Sequence, residues 1–143
     1  MTAAACPFCA IAAGDAPASV IHDDGKVLAF MDLRQAVPGH VLVVPRKHVP
    51  DLYALDDGEA AGVMQVAVRV ARALREAYHV PGLNLWQSNG EAGGQEVLHF
   101  HLHVHPRRPG DGLLRVYPQG SPPCTGAEEL EAMARSLRSR LQS

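Results

Sequence analysis

The feature that most constrains this chain is a run of residues in which four histidines alternate with apolar side chains. The run reads Gln95-Glu96-Val97-Leu98-His99-Phe100-His101-Leu102-His103-Val104-His105-Pro106. Alternation with a period of two is typical of a β-strand with two unlike faces. It predicts that the four histidines share one face, and that the other face points four side chains into a core, namely Leu98, Phe100, Leu102 and Val104. Histidine makes up 8 of the 143 residues, so four in strict alternation are not expected by chance.

The predicted spacing of these histidines limits what they can bind. Neighbouring imidazoles on one strand face would lie roughly 6.5–7 Å apart, about two strand rises. That distance is too wide for all four to share one metal ion, although histidine is a common metal ligand and one of the four can belong to a metal site. The spacing suits successive groups of an extended anionic substrate.

The run resembles the signature of the histidine triad (HIT) family, His-φ-His-φ-His-φ-φ with φ apolar. It matches that signature from His99 to Val104 and departs from it at His105, where an apolar residue is usual. The segments Asn89–Gln95 and Pro38–Pro45 also resemble landmarks of the family, in particular of its Hint-like bacterial hydrolase branch. The resemblance covers roughly residues 6–118.

The order of elements along the chain predicts an α+β fold. We expect, in order, a short N-terminal helix at 6–14, strands at 19–22 and 26–31, a strand at 40–45, a long helix from 56 or 57 to about 78, a strand at 82–88, the histidine strand, and a final helix from 125 to about 141. Short connections favour an antiparallel sheet, here of about five strands, with helices on one side. The HIT resemblance implies the same fold. We expect one domain over residues 1–143, with a C-terminal helical extension at about 119–143.

Local signals support these boundaries. Asp23-Asp24-Gly25 between two apolar runs predicts a hairpin, and Thr125 followed by Glu128 matches a capping box. The long helix has a polar stripe, and its predicted buried face comprises Ala60, Val63, Ala67, Val70, Leu74 and Ala77. Val66 and Val68 widen this apolar surface, which is expected to pack under the sheet or meet a second subunit. The resemblance implies a homodimer formed through this helix and a sheet edge.

Composition excludes several classes of function. The net charge is −2, so no strongly basic surface indicates a nucleic-acid partner. No apolar run is long enough to span a bilayer, and Met1–Ala5 has neither the charge nor the apolar stretch of a signal peptide. Three cysteines, two of them in Cys6-x-x-Cys9, favour a reducing compartment. We therefore expect a cytoplasmic protein without nucleic-acid or membrane partners.

The resemblance makes His101 a catalytic nucleophile. A neutral imidazole is nucleophilic near neutral pH because its unperturbed pKa is about 6.5. It can attack the α-phosphorus of a nucleotide and form a nucleotidyl-histidine, from which water releases a nucleoside monophosphate. His103 is expected to donate a hydrogen bond to the phosphate, and His99 completes the catalytic triad. Outside this motif, the alternative interpretation of His101 is a structural histidine.

By the same resemblance, the phosphate lies against the glycine-rich loop. Ser88 and Gln95 flank that loop, and the backbone N–H at Gly94 can approach a phosphate closely because glycine has no Cβ. Glu96 departs from the family pattern, since a small hydroxyl or apolar residue is common there. A carboxylate facing phosphate is repelled unless it is protonated or turned away, so the preferred leaving group is left open.

The nucleoside end is assigned to Phe30, Asp32, Asn84 and Ile11. A carboxylate such as Asp32 can accept two hydrogen bonds from vicinal ribose hydroxyls, while Phe30 and Ile11 provide apolar walls for the base. Without the resemblance, Asp32 reads as a turn residue and Phe30 as core.

Two cysteines and two histidines match the ligands of zinc-bearing family members. The matching positions are Cys6, Cys9, His48 and His99, and structural zinc takes four such ligands in a tetrahedron. We expect one structural Zn²⁺ per chain that pins the N-terminal helix to the histidine strand. The alternative is a thioredoxin-type redox motif, but that motif needs a strand before Cys6 and only five residues precede it.

These expectations together indicate a nucleotide hydrolase. The resemblance implies cleavage of a purine nucleoside phosphoramidate or a dinucleoside polyphosphate at the α-phosphate. The alternatives are a nucleotide-binding protein with little turnover and a nucleotidyltransferase of the same superfamily, which passes the nucleotide to a sugar phosphate. The choice between adenine and guanine stays open.

Overall fold

A computed structural model describes residues 2–113 and 115–141. The chain divides into two compact units, Met1–Asp111 and Gly112–Ser143. The first unit carries the sheet, the long helix and the histidine run; the second carries the C-terminal helix.

The N-terminal helix forms where its capping residues predict it. Helix α1 spans Pro7–Ala13 and follows a short 3₁₀ turn at Ala3–Ala5. Cys6 is its N-cap and accepts a hydrogen bond from the Cys9 N–H through its side chain. Pro7 occupies the first turn, where its missing N–H costs nothing, and Gly14 ends the helix in the left-handed conformation.

Five strands form one antiparallel sheet, as the sequence predicts. Its order is β1-β2-β3-β5-β4, with every neighbouring pair antiparallel. The strands are β1 (Val20–Asp23), β2 (Val27–Met31), β3 (Val41–Pro45), β4 (Gly82–Trp86) and β5 (Leu102–Arg107). The central strand β3 is buried along its whole length, which accounts for its unbroken apolar sequence.

Helix α2 spans Asp57–Tyr78 and covers one face of the sheet. A reciprocal capping box between Asp56 and Glu59 starts it, which satisfies two otherwise unpaired backbone donors. Its buried residues are Val63, Val66, Ala67, Val70 and Leu74, and they form one core cluster with strands β2, β3 and β5. Ala60 and Ala77, predicted to be buried, are exposed at the two ends of the helix.

The histidine run is only partly a strand. Strand β5 begins at Leu102, so His99–His101 lie before it. The register that pairs Val43 with Leu102 would place Pro45 opposite Phe100, and proline has no N–H to continue the ladder. The carbonyl of Pro45 instead accepts from the ring of His99, 2.7 Å away. The N–H of Phe100 donates to the carbonyl of Val49 at 2.6 Å.

This ending of the ladder changes the predicted two-faced pattern. Phe100, Leu102 and Val104 are buried in the core as expected, but Leu98 is 41% exposed. The prediction of one continuous strand from residue 95 was therefore wrong for the residues before Leu102.

The second unit contains helix α3, Ala127–Arg138. Its N-cap is Gly126 and no side chain caps it, so the predicted box between Thr125 and Glu128 does not form. The helix has no buried residue. Within the described parts of the chain, no helix is both long and apolar enough to cross a membrane.

Candidate active site and metal centre

Two cysteines and two histidines from three separate segments come together at the first histidine of the run. The distances are 3.3 Å from Cys6 Sγ to His99 Nδ1, 3.3 Å from Cys9 Sγ to His48 Nδ1 and 3.6 Å from Cys9 Sγ to His99 Nδ1. The four ligand atoms all lie within 4.8 Å of one another. Tetrahedral zinc with bonds of about 2.3 Å to sulfur and 2.0–2.1 Å to nitrogen separates sulfur from nitrogen by roughly 3.5 Å. The cluster therefore has the size and donor set of a structural zinc site.

The tautomer of His99 also fits a metal ligand. Its Nε2 lies 2.7 Å from the carbonyl of Pro45, which can only accept, so Nε2 carries the proton. Nδ1 is then left with a lone pair directed at the cysteines, the arrangement that a second hydrogen bond usually imposes on a metal-bound histidine. Burial lowers the pKa of His99, which keeps the ring neutral and able to coordinate.

The surroundings of Cys9 disfavour its thiolate. Burial, together with the adjacent Cys6, raises the pKa of Cys9 to about 11. A bound divalent cation reverses this by stabilising the thiolate directly. The cluster is thus suited to zinc and poorly suited to a reactive dithiol, whose thiolate requires a lowered pKa.

A backbone carbonyl fixes the tautomer of the His101 ring. Its Nδ1 lies 2.8 Å from the carbonyl of His99, so Nδ1 donates and Nε2 keeps its lone pair. Phe8 packs edge-on against the ring, with centroids 5.2 Å apart, and the residue is 6% exposed. The ring can therefore attack through Nε2 without first changing its tautomer.

His103 belongs to a chain of polar contacts that reaches Asp32. His103 Nδ1 lies 2.9 Å from Nε2 of His40, and Nδ1 of His40 lies 3.7 Å from a carboxylate oxygen of Asp32. The anion favours a proton on Nδ1 of His40, so Nε2 of His40 accepts from His103. Nε2 of His103 is then unprotonated in the neutral ring.

Burial keeps this pair of imidazoles neutral near pH 7. It lowers the pKa of His103 to about 4, with neighbouring His101 and His40 acting in the same direction. Burial likewise lowers the pKa of His40, which Asp32 partly opposes. Trp86 stacks on His103 with centroids 4.8 Å apart and an interplanar angle of 23°, which fixes the orientation of the ring.

An apolar cavity of about 270 Å³ opens beside His101. Phe30 and Ile11, both predicted for the nucleoside, line it, and Asp32 lies at its polar side. Oδ1 of Asp32 accepts from the backbone N–H of Arg34 at 2.7 Å, which orients the carboxylate. Asn84 does not line this cavity; its side-chain oxygen accepts from Arg107 at 2.6 Å.

A second cavity of about 260 Å³ adjoins the first at the same histidines. Ser88 and Gly94, both predicted for the phosphate, line it. The two cavities share five residues, namely Asp32, Arg34, Glu96, His101 and His103. A group bound at the shared wall would therefore face His101 with one substituent in each cavity.

Gln95 stabilises the loop rather than lining either cavity. Its amide oxygen accepts from the N–H of Gly90 at 2.9 Å, and its amide nitrogen donates to the carbonyls of Pro50 and Val97 at 2.7 and 3.0 Å. The ring of His99 lines neither cavity; its backbone carbonyl is what contacts His101.

Three residues at the site were not predicted from the sequence: His40, Trp86 and Arg34. His40 directly precedes the buried strand β3 and is itself 7% exposed. The sequence signal that could have identified it is a polar residue next to a buried apolar run. Trp86 and His103 are directly paired across strands β4 and β5. That pairing appears only once the register is known.

Comparisons with known proteins identify the family. The HIT domain family matches residues 13–110. The protein hit of Bacillus subtilis is 37% identical over 139 residues, which is 96% of this chain and 95% of that protein. This chain therefore belongs to the HIT family.

Solved structures agree in fold. A HIT family protein from Bacillus anthracis superposes with a TM-score of 0.88 at 34% identity, covering 99% of this chain and 100% of that one. A zinc-bound histidine triad family protein from Mycobacterium smegmatis superposes with a TM-score of 0.73 at 39% identity, covering 97% and 99%.

Proposed function

We propose that the protein hydrolyses a purine nucleoside phosphoramidate or a dinucleoside polyphosphate at the α-phosphate, through a nucleotidyl intermediate on His101. The observation that carries the proposal is the position of His101: its tautomer is fixed for attack and it lies where the two cavities meet. A HIT family hydrolase from Legionella pneumophila is 35% identical and covers 80% of this chain, which supports hydrolysis over binding alone.

In the first step Nε2 of His101 attacks the α-phosphorus and a phosphorus–nitrogen bond forms. The bond from phosphorus to the leaving nitrogen or oxygen breaks and its electron pair stays with the leaving group. Binding of an anionic phosphate raises the pKa of His103, so a protonated His103 supplies the proton that an amine leaving group requires.

In the second step water replaces the leaving group. Neutral His103 takes a proton from the water through Nε2, the new oxygen–phosphorus bond forms, and the bond from phosphorus to His101 breaks. The products are a nucleoside monophosphate and the regenerated imidazole. Because His40 holds Nδ1 of His103, the same ring serves as acid and then as base without rotating.

The rest of the site holds the nucleotide for these steps. Asp32 accepts hydrogen bonds from the ribose hydroxyls, and the apolar walls at Phe30 and Ile11 enclose the base. The cavity of about 270 Å³ has room for a purine. Ser88 and the backbone near Gly94 face the phosphate.

We assign one structural zinc per chain to Cys6, Cys9, His48 and His99. When bound, zinc supplies a crosslink between α1, the segment after β3 and the histidine run. Thiolate ligands persist in a reducing compartment, so we place the protein in the cytoplasm.

We also assign a homodimer to the edge of the sheet. Strand β4 is an edge strand, and a shallow apolar surface joins it to helix α2. On that surface Leu85 is 41% exposed and Val68 is 40% exposed. An exposed edge strand offers unpaired backbone groups to another chain, and exposed apolar patches mark interaction sites.

The experiment that tests the reaction is chemical rescue of His101→Gly. We expect turnover to fall by several orders of magnitude, because the groups of one catalytic unit do not substitute for each other. Added imidazole should restore part of it by occupying the vacated space. Rapid quench of the wild type should reveal an acid-labile nucleotidyl adduct on the peptide that contains His101.

The matched control is His79→Gly. His79 ends helix α2 with a positive φ of 50°, which glycine adopts at no cost, so this variant should keep full turnover and show no response to imidazole. Undiminished turnover by His101→Gly, or an adduct on a different histidine, would contradict the mechanism.

A further inference from the structure

A second group of metal-ligating side chains, separate from the cysteine cluster, lines the cavity of about 260 Å³. It consists of Asp32, His40 and His103, which each offer one oxygen or nitrogen, and these three atoms lie within 4.8 Å of one another. Bonds of about 2.0–2.2 Å to a common ion would separate such ligand atoms by roughly 3–3.5 Å. Nε2 of His40 and Nδ1 of His103 are already 2.9 Å apart. The three side chains therefore need only small movements to bind one ion.

The surrounding structure holds these three residues in place. The N–H of Asp32 donates to the carbonyl of His40 at 3.0 Å, and the amide nitrogen of Gln35 donates to the carbonyls of both residues at 2.7 and 2.9 Å. His103 lies on strand β5 and stacks on Trp86. Ligands that are ordered before an ion arrives lose less conformational entropy when they bind it.

The donor atoms and the local charge favour a transition-metal cation. Burial lowers the pKa of both His40 and His103, so neither ring has to release a net proton to bind. Oδ1 of Asp32 accepts from the N–H of Arg34, whereas Oδ2 lies 3.7 Å from Nδ1 of His40. The carboxylates of Asp32 and Glu96 outnumber the guanidinium of Arg34 at this cavity, which attracts a cation. Two imidazoles and one carboxylate suit first-row transition ions, while Mg²⁺ and Ca²⁺ prefer oxygen ligands.

We propose that Asp32, His40 and His103 form a second metal site, which binds a first-row transition cation such as Zn²⁺ or Co²⁺ and blocks the enzyme when it is filled. The blocking role rests on the proposed function, whereas the binding does not. A bound ion occupies the carboxylate that would accept from the ribose. If it binds Nδ1 of His103, the proton of that ring moves to Nε2; if it binds Nε2, the lone pair is used. In either case Nε2 no longer accepts a proton from water.

The test of the site is a titration of tag-free protein, preloaded with zinc, with Co²⁺ in the absence of nucleotide. We expect about one further ion per chain, measured by calorimetry and by absorption. Co²⁺ bound by nitrogen, oxygen and water absorbs weakly in the visible. Co²⁺ that enters the cysteine cluster instead adds a strong ultraviolet band from thiolate-to-cobalt charge transfer, so the spectrum identifies the site that is filled.

Two variants remove one ligand each. His40→Gln and Asp32→Asn should each raise the dissociation constant for Co²⁺ by roughly tenfold or more, because even the outer partners of metal ligands contribute about 10–100-fold to affinity. Asp32→Asn keeps the shape of the side chain and therefore tests the site even if His40→Gln folds poorly. His22→Gln is the matched control: His22 also lies next to a carboxylate, 3.1 Å from Asp24 in the hairpin, and its loss should leave Co²⁺ binding unchanged.

Inhibition is measured with a nucleoside phosphoramidate as substrate. Co²⁺ should inhibit the wild type in competition with the substrate, with an inhibition constant equal to the dissociation constant from the titration, and Mg²⁺ at the same concentration should not inhibit. Absence of the further ion, a thiolate band in its place, or an unchanged dissociation constant in both ligand variants would overturn the site. Binding of the ion without inhibition would overturn the blocking role. A wild type that cleaves no nucleotide would refute the proposed function and the blocking role together, while the titration still decides the site.

Discussion

Removal of zinc is expected to destabilise the fold far more than it alters the nucleotide site. The four proposed ligands join segments that are distant in sequence: Cys6 and His99 are 93 residues apart, and Cys9 and His48 are 39 apart. Without the metal, these contacts reduce to weak thiol–imidazole hydrogen bonds. The perturbation of choice is Cys9→Ala, which removes one ligand and leaves the catalytic cavity untouched.

The size of the effect follows from the loops that the metal closes. A crosslink across 93 residues lowers the entropy of the unfolded chain by the equivalent of about 4–5 kcal/mol. Zinc binding to cysteines and histidines of the unfolded chain subtracts from this figure. For a domain of this size each kcal/mol moves Tm by about 3–4 °C, so we expect a loss of about 10–15 °C.

Thermal unfolding with and without a chelator is the assay, together with metal analysis of protein purified without added zinc. The wild type should contain about one zinc per chain, and its Tm should fall by the predicted amount in the chelator. The Tm of Cys9→Ala should be low without chelator and change little when chelator is added. Cys124→Ala is the matched control, because Cys124 is exposed and lies outside the cluster. A wild type with full stability after complete metal removal would refute the structural role of zinc.

Two further substitutions test the nucleoside and acid–base assignments. Asp32→Ala should weaken binding of a ribonucleoside monophosphate by about 2 kcal/mol, the loss of hydrogen bonds to a carboxylate, and should affect the 2′-deoxy analogue much less; equal weakening of both in a calorimetric titration would exclude ribose recognition. Burial lowers the folded pKa of His103 to about 4, below an unfolded value of about 6.5. The unfolded chain therefore takes up the proton first, and stability should fall as the pH drops from about 6.5 to 4. His103→Gln should show a smaller fall in denaturant titrations over that range; an identical fall would mean that His103 is not the group responsible.

The order of elements could be predicted from the sequence because it depends on local signals, whereas the full set of metal ligands was predicted through the family resemblance. Capping residues and the periods of two and 3.6 are properties of short segments; Cys6-x-x-Cys9 is visible in the sequence too, but His48 and His99 joined it as ligands only through the resemblance. The start of β5 could not be predicted, since alternation is the same whether or not a partner strand continues. The pairing of β5 with β3 stops at Pro45, more than fifty residues away in the sequence, because proline has no N–H to donate.

The contacts of His40 and Trp86 with His103 could not be predicted from the sequence for a related reason. Their contact with His103 depends on the register of β3 and β4 against β5, and register is a long-range property. A histidine in front of an apolar run predicts burial at most. The hydrogen bond from His103, which fixes the tautomer of the proposed acid–base group, requires the folded sheet.

His99 explains why the break in the strand matters for the chemistry. In a continuous strand the carbonyl of His99 would lie in the plane of the sheet and pair with a neighbouring strand. Because the ladder stops at Pro45, that carbonyl is available to accept from Nδ1 of His101. The ring of the same residue is bonded to Pro45 and faces the cysteines. His99 thus joins the proposed metal site to the proposed nucleophile. Its side chain is held by Pro45 and the ligand cluster, and its backbone carbonyl sets the tautomer of His101.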